Sequence, residues 1–242
     1  MCLIVNIIPM KFNILTLFPD MFPGPLDYSV SGNALKNKRY SISTFNIREF
    51  SDLSNKSVDD NPFGGGAGMV MRADILDKAL KFVKKKTMTN NSISIYLTPS
   101  GEKLDQKMIK RIVKYDNIIL LCGRYEGVDQ RFLDHNNIKE VSIGDYILAG
   151  GEIAALVLIE ACIRLIPDVL GNKKSLINES FEDFLLEHPH YTKPAIWKNI
   201  EVPKVLRSGN HKMISEWRKK ESIKKTKKIR PDLIKLYNKS KD

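Results

Sequence analysis

Short apolar runs alternate with longer amphipathic stretches through the first 170 residues of this 242-residue chain. Phe12 to Phe18, Ser41 to Ile47, Ser92 to Leu97 and Ile118 to Leu121 are short and rich in β-branched or aromatic side chains, which predicts strands. Ala73 to Lys86, Asp105 to Tyr115 and Glu152 to Ile166 predict helices. Around the second, Leu104, Met108, Ile109 and Ile112 fall at helical spacing with lysines opposite. Apolar strands separated by helices predict an α/β fold with a largely parallel sheet covered on both faces. Pro167 stops the third helix, and Gly171 follows. From Gly171 to Glu187 the pattern turns polar and then partly amphipathic, which predicts a mobile linker. Beyond it a basic helical tract, Lys212 to Lys228, carries Ile214, Trp217 and Ile223 as apolar contacts, and Arg230-Pro231 opens a short terminal helix. The expected organisation is a domain over 1–170, a linker over 171–187 and a small helical domain over 188–242.

Two glycine-punctuated segments interrupt this pattern where ligands gather in α/β sheets, at the ends of buried strands. Leu121 to Arg131 reads LCGRYEGVDQR, and Ser142 to Glu152 reads SIGDYILAGGE. In the first, Gly123 can admit a ligand against the backbone, Tyr125 can pack on a purine, and Glu126 can accept hydrogen bonds from ribose hydroxyls. A solvated surface carboxylate is the plainer role for a lone Glu. Thr98-Pro99-Ser100-Gly101 also follows a strand, and alone reads as a turn. The most glycine-dense stretch, Asn61 to Met71 (NPFGGGAGMVM), fits neither a P-loop nor a dinucleotide fingerprint. It reads as a surface loop, or as one whose small residues let a planar base approach. Arg164 stands in an apolar helix one turn after Glu160, where an ion pair is the simple expectation and stabilisation of developing negative charge the functional one. Glu179, Glu182 and Asp183 are linker acids of the solvating kind, and His188 and His190 lack further ligands at metal spacing.

Charge changes the picture most at the C-terminus. Lys193 to Asp242 holds 16 basic and 5 acidic residues, the whole of the net +11, so Met1 to Thr192 is neutral. Segregation of this kind points to a polyanion partner. Hydrophobic content of 43% is ordinary for a globular protein, and no apolar run approaches the ~18 residues of a membrane span. Three cysteines without metal or redox spacing predict a reducing, cytoplasmic setting. Met1 to Pro9 is apolar but too short and uncharged for a secretory signal, and Met10-Lys11 offers a second start, so the first nine residues are a candidate extension.

NPFGGGAGMVM, YLTPSG, LCGRYEGVDQRF, SIGDYILAGGE, RLIPDVLG, PHYTKP and VLRSGNH occur in order over some 200 residues. Together they resemble the bacterial tRNA (guanine-N1)-methyltransferases of the TrmD type, in the SPOUT superfamily, with the match beginning at Met10-Lys11. The resemblance implies S-adenosylmethionine-dependent methylation of guanine N1 at tRNA position 37, 3′ of the anticodon. It implies a deep trefoil knot, an exception to the rule against knots, and an obligate homodimer. The cofactor would be held by Gly123, Tyr125, Glu126, Ile143, Gly144, Tyr146, Leu148, Gly150 and Gly151. The turn of Tyr96, Leu97, Thr98, Pro99 and Gly101 would join them, with backbone from Ile143 through Asp145 and Ile147 to Leu148 reading the adenine. Glu179 would be the general base, where the family pattern more often has Asp, and Arg164 would stabilise charge on guanine O6. His190, Tyr191 and Lys193 of PHYTKP, with Ser208, Asn210, His211 and Arg218, would grip the anticodon arm; Lys193 stands where arginine is commoner. No metal ligand set is implied, and a divalent-ion requirement is not legible. The alternatives are a SPOUT enzyme acting on another RNA base or a ribose, and a non-catalytic RNA-binding relative.

Overall fold

A computed structural model describes residues 9–87, 89–170 and 179–241. The candidate N-terminal extension, apart from Pro9, and the first part of the expected linker (171–178) lie outside the described residues. The chain divides into two compact units, Met1–Leu170 and Gly171–Asp242.

In chain order the first unit contains β1 (Met10–Thr16), α1 (Ser29–Lys36), β2 (Tyr40–Asn46), β3 (Asp59–Asp60), β4 (Val70–Met71), α2 (Ala73–Thr87), β5 (Ser92–Lys103), α3 (Gln106–Ile112), β6 (Asn117–Cys122), β7 (Gly127–Val128), α4 (Gln130–His135), β8 (Lys139–Ser142) and α5 (Gly151–Ile163). The main sheet has the order β2-β1-β6-β5-β8, and every neighbouring pair in it is parallel. Alternate residues feed two cores, as the period of a strand requires. Phe12, Ile14, Ile95, Leu97, Ile118 and Leu120 face one side, with Met108, Ile109 and Ile112 of α3 and the apolar residues of α5. Leu15, Tyr96, Ile119 and Leu121 face the other, with Ile75, Leu76, Ala79 and Leu80 of α2 and Phe132 and Leu133 of α4.

The four predicted strands are present, with ends shifted by local bonds. β1 stops before Phe18, whose N–H turns back to Thr16 Oγ1 at 2.9 Å. α3 is shorter than predicted: Asp105 caps it by accepting from Met108 N at 2.7 Å, and bonds from Lys114 N to Arg111 and from Tyr115 N to Ile112 tighten its last turn. α5 likewise gives way to tight turns at Leu165 and Ile166. β8, α1 and α4 carry too short an apolar pattern to be read from sequence. α1 (SVSGNALK) buries Ser31, Gly32 and Ala34, small residues with no hydrophobic period. β5 runs on to Lys103 through a bulge, because its register against β8 slips between Leu97 and Glu102.

The second unit contains β9 (Ile196–Trp197), β10 (Ile200–Glu201), α6 (His211–Ile229) and α7 (Pro231–Lys239). β9 and β10 form a small antiparallel hairpin. The described part of the expected linker makes hydrogen bonds within the second unit. Leu185 is buried, Leu186 N donates to Thr226 Oγ1 at 2.8 Å, Glu187 N donates to Ser180 Oγ at 3.0 Å, and Lys225 Nζ donates to the Glu187 carbonyl at 3.2 Å. Of the apolar residues in SFEDFLLE, Leu185 is buried, while Phe181 and Phe184 stay exposed. α6 buries Ser222 and Thr226, while Ile214, Trp217 and Ile223 remain half-exposed.

Candidate active site

The sheet order places the C-terminal ends of β6, β5 and β8 side by side, and a cavity of about 280 Å³ opens there. That is near the lower end of the ~300–1,000 Å³ typical of small-molecule pockets. Three segments wall it: Tyr96 to Pro99 of β5, Gly123 to Gly127 after β6, and Val141 to Gly151 between β8 and α5, Asp145 excepted. Every residue expected from the sequence to hold a cofactor lines this cavity except Gly101 and Asp145. Gly101 belongs to the bulge, where a Cβ would collide with the backbone of Val141, so its role is close packing of β5 on β8.

The segment after β8 is braced internally. Ser142 Oγ donates to the Gly144 carbonyl at 3.1 Å and accepts from Gly144 N at 3.2 Å, while Tyr146 Oη donates to the Ile143 carbonyl at 3.3 Å. Ile147 is left 81% exposed beside the cavity. Gly151 N donates to the Gly123 carbonyl at 3.0 Å, which fastens the two glycine segments to each other. Burial holds the Tyr96 phenol above its ordinary pKa, with a hydrogen bond to Thr98 working the other way. Burial, and then the nearby Glu152 carboxylate, push the Cys122 thiol well up, so this sulfur is a neutral packing group and no nucleophile.

Sequence reasoning missed the charged pair behind this wall. Glu152 is fully buried; its Oε1 accepts from Thr16 Oγ1 at 2.8 Å, and its Oε2 lies 2.9 Å from Arg124 Nη2. Arg124 lines the cavity, donates from Nη1 to the Ala149 carbonyl at 3.1 Å, and stacks on Phe18 at 4.4 Å. Both residues stand inside the quoted motifs, and the only signal was a carboxylate at the mouth of an otherwise apolar helix.

The glycine-rich loop comes to the rim of the same cavity. Its two ends, β3 and β4, pair with each other, β4 pairs with β7, and Glu126 N donates to the Met69 carbonyl at 3.0 Å. Phe63 at the loop's tip is 97% exposed. Arg164 is the C-cap of α5, and Glu160 accepts from Ser31 Oγ at 2.6 Å.

In the second unit Glu179 shares a hollow of about 430 Å³ with His211 and Arg218, alongside Asp183, His188 and Lys219. Tyr191 and Lys193 line a separate hollow near Arg207. His190 Nε2 lies 2.9 Å from Glu187 Oε1, its ring 4.7 Å from that of His188, and Tyr191 packs 6.2 Å from Trp217. Ser208 and Asn210 use their side chains to start α6. Ser208 Oγ accepts from Asn210 N at 3.2 Å, and Asn210 Oδ1 accepts from Met213 N at 3.1 Å. No cluster of three metal-ligating side chains occurs among the described residues, and no helix there is long and apolar enough to cross a membrane.

A family model for the tRNA (Guanine-1)-methyltransferase TrmD matches residues 10–236. The chain belongs to this family. It is 48% identical over 230 residues to the tRNA (guanine-N(1)-)-methyltransferase of Ehrlichia canis (strain Jake), covering 95% of this chain and 97% of that one. It is 50% identical over 224 residues to the same-named protein of Rhodospirillum rubrum, covering 93% and 92%. The TrmD family match begins at Met10, the first residue of β1.

Proposed function

We propose that this chain transfers a methyl group from S-adenosylmethionine to guanine N1 at position 37 of tRNA. The observation that carries this reading is the cavity at three adjacent parallel strand ends, walled by the two glycine segments. Family membership supports it, as do relatives named for guanine-N(1) methylation of tRNA. The donor set suits the cofactor: Leu97, Ile143, Leu148 and Ala154 offer apolar walls, and strand-end backbone offers hydrogen bonds for an adenine edge. Glu126 is a carboxylate at the same wall for ribose hydroxyls. The bound cofactor supplies an electrophilic methyl on a sulfonium.

The remaining chemistry falls to side chains. Guanine N1 is a poor nucleophile while it holds its proton, so a base must remove that proton as transfer proceeds. Glu179 is the base in this reading, one methylene longer than the aspartate commoner in the family. Arg164, permanently charged and planar, stabilises the charge that collects on O6. The basic second unit, with Lys193, His211 and Arg218, binds the anticodon arm through phosphates, and the target base is splayed from the loop at modest unstacking cost. The same reading gives the sheet a trefoil knot, the working enzyme two subunits, and the cytoplasm as its compartment.

The deciding experiment incubates the protein with methyl-labelled S-adenosylmethionine and tRNA transcripts bearing guanine or adenine at position 37. Labelling of the guanine transcript alone is expected; equal labelling of both, or of neither, would sink the reading. Glu179→Gln is expected to lower turnover by at least ~100-fold, the contribution of a positioned base, with cofactor affinity unchanged. Unchanged turnover would remove Glu179 from the mechanism.

A further inference from the structure

The Arg124–Glu152 pair has a consequence for which ligand the cavity holds best. Glu152 is the one acid among the buried polar and charged residues described. It stands behind the wall while Arg124 forms part of it, and the Arg124 side chain crosses Gly150 so closely that a Cβ there would collide with it. Arg124 Nε and Glu152 Oε2 are buried and make no aligned hydrogen bond among the described residues. Yet Oε2 sits 2.9 Å from Nη2. The contact is therefore held by charge more than by hydrogen-bond geometry.

We propose that the buried Glu152 carboxylate keeps the cavity from rejecting a cationic sulfonium in favour of a neutral thioether, by cancelling the charge of Arg124. This rests on the methyl-donor reading of the cavity. A donor and its demethylated product share the adenosine and amino-acid groups and differ by one methyl and one positive charge. A guanidinium in the wall, its side chain 22% exposed, repels the cation and leaves the neutral product indifferent. With Glu152 in place the wall is locally neutral, and the donor is not disfavoured against its own product. Arg124 is needed in turn because it ties the Ala149 carbonyl and the Phe18 ring to the segment after β6. Glu152 is a specificity-determining residue that touches no ligand and acts through Arg124.

The test measures dissociation constants of S-adenosylmethionine and S-adenosylhomocysteine by titration calorimetry on the full-length protein. Glu152→Gln keeps the shape and the oxygen that accepts from Thr16 but removes the charge. It is expected to weaken the sulfonium ligand relative to the thioether by about tenfold. The double variant Arg124→Met/Glu152→Gln is expected to restore the wild-type ratio, whatever it does to both affinities together. Equal weakening of the two ligands in Glu152→Gln, as a purely structural role predicts, would overturn the proposal. If that variant does not fold, Arg124→Met decides: it leaves the buried carboxylate uncompensated, so a ratio shifted toward the sulfonium supports charge cancellation, and an unchanged ratio refutes it. Failure of both ligands to bind the wild-type protein would overturn the donor reading itself, an outcome distinct from a shifted ratio.

Discussion

Replacing Gly151 with alanine tests whether the two glycine segments work as one wall. A Cβ at this position would lie 2.8 Å from Cys122 Cα and 3.0 Å from Gly123 N, both backbone atoms that no rotamer change can move. Ordinary contact between carbons is ~3.5–4.0 Å, so the segments must part by ~0.7 Å or more. Overpacking of this kind costs ~1–3 kcal/mol. Alanine recovers up to ~1 kcal/mol of helix propensity, so the net loss of stability is ~0–2 kcal/mol. The larger effect falls on the cavity. The Gly151 N to Gly123 carbonyl bond, 3.0 Å long, closes the wall and would be stretched or lost. Urea denaturation followed by calorimetric titration with S-adenosylmethionine separates the two effects. The expected outcome is a folded protein whose affinity falls by at least ~10-fold, about 1.4 kcal/mol. A folded Gly151→Ala protein with wild-type affinity would refute the claim that the spacing of these segments sets the site.

Three further outcomes follow from particular contacts. Tyr40 is buried, its hydroxyl donates to the Ser31 carbonyl at 3.2 Å, and burial, with help from Glu160 and Asp27, pushes its pKa up to about 12. A raised phenol pKa stabilises the fold fully below pH ~10, and that stability is lost as pH rises through the folded value. Wild type should therefore lose ~2 kcal/mol relative to Tyr40→Phe between pH 10 and 12, and parallel stability curves for the two proteins would contradict the assignment. Asn210→Ala should cost ~0.5–2 kcal/mol in the second unit through loss of the α6 cap, while Asn210→Asp retains it; equal losses in a thermal melt would count against the cap. Binding of tRNA should fall steeply with salt, by one to several decades between 50 and 200 mM, while S-adenosylmethionine binding stays nearly flat; similar slopes for both would deny the second unit its phosphate-binding role.

The elements legible in sequence were those with a clear period. α2 repeats apolar residues at helical spacing, β6 is apolar over its central residues, and β1 is mostly apolar apart from Asn13, so all three could be read within a few residues of their ends. α1 and β8 escaped because small buried residues and a four-residue strand carry no period to detect. The cavity was legible because bare backbone at strand ends needs glycine, and glycine is visible. The Arg124–Glu152 pair was not, because its meaning lies in the contact between a loop and the first turn of α5, 28 residues apart, which spacing alone does not encode. Ser208 and Asn210 show the opposite limit: a motif read for its partner is occupied, in the fold, with starting a helix.

The partition of charge along the chain then has a physical reason. If the ligand is the proposed sulfonium, any uncompensated cation in the cavity wall opposes its entry. Arg124 is neutralised by a fully buried acid, and the first 192 residues of the chain sum to zero net charge. A polyanion demands the reverse, cations left exposed and unneutralised, and Lys193 to Asp242 carries the entire excess of +11. Moving that excess onto the strand ends would gain phosphate contacts only by repelling the methyl donor. In the proposed reading the two electrostatic tasks thus fall to different stretches of sequence, the neutral one carrying the cavity and the basic one the phosphate-binding charge.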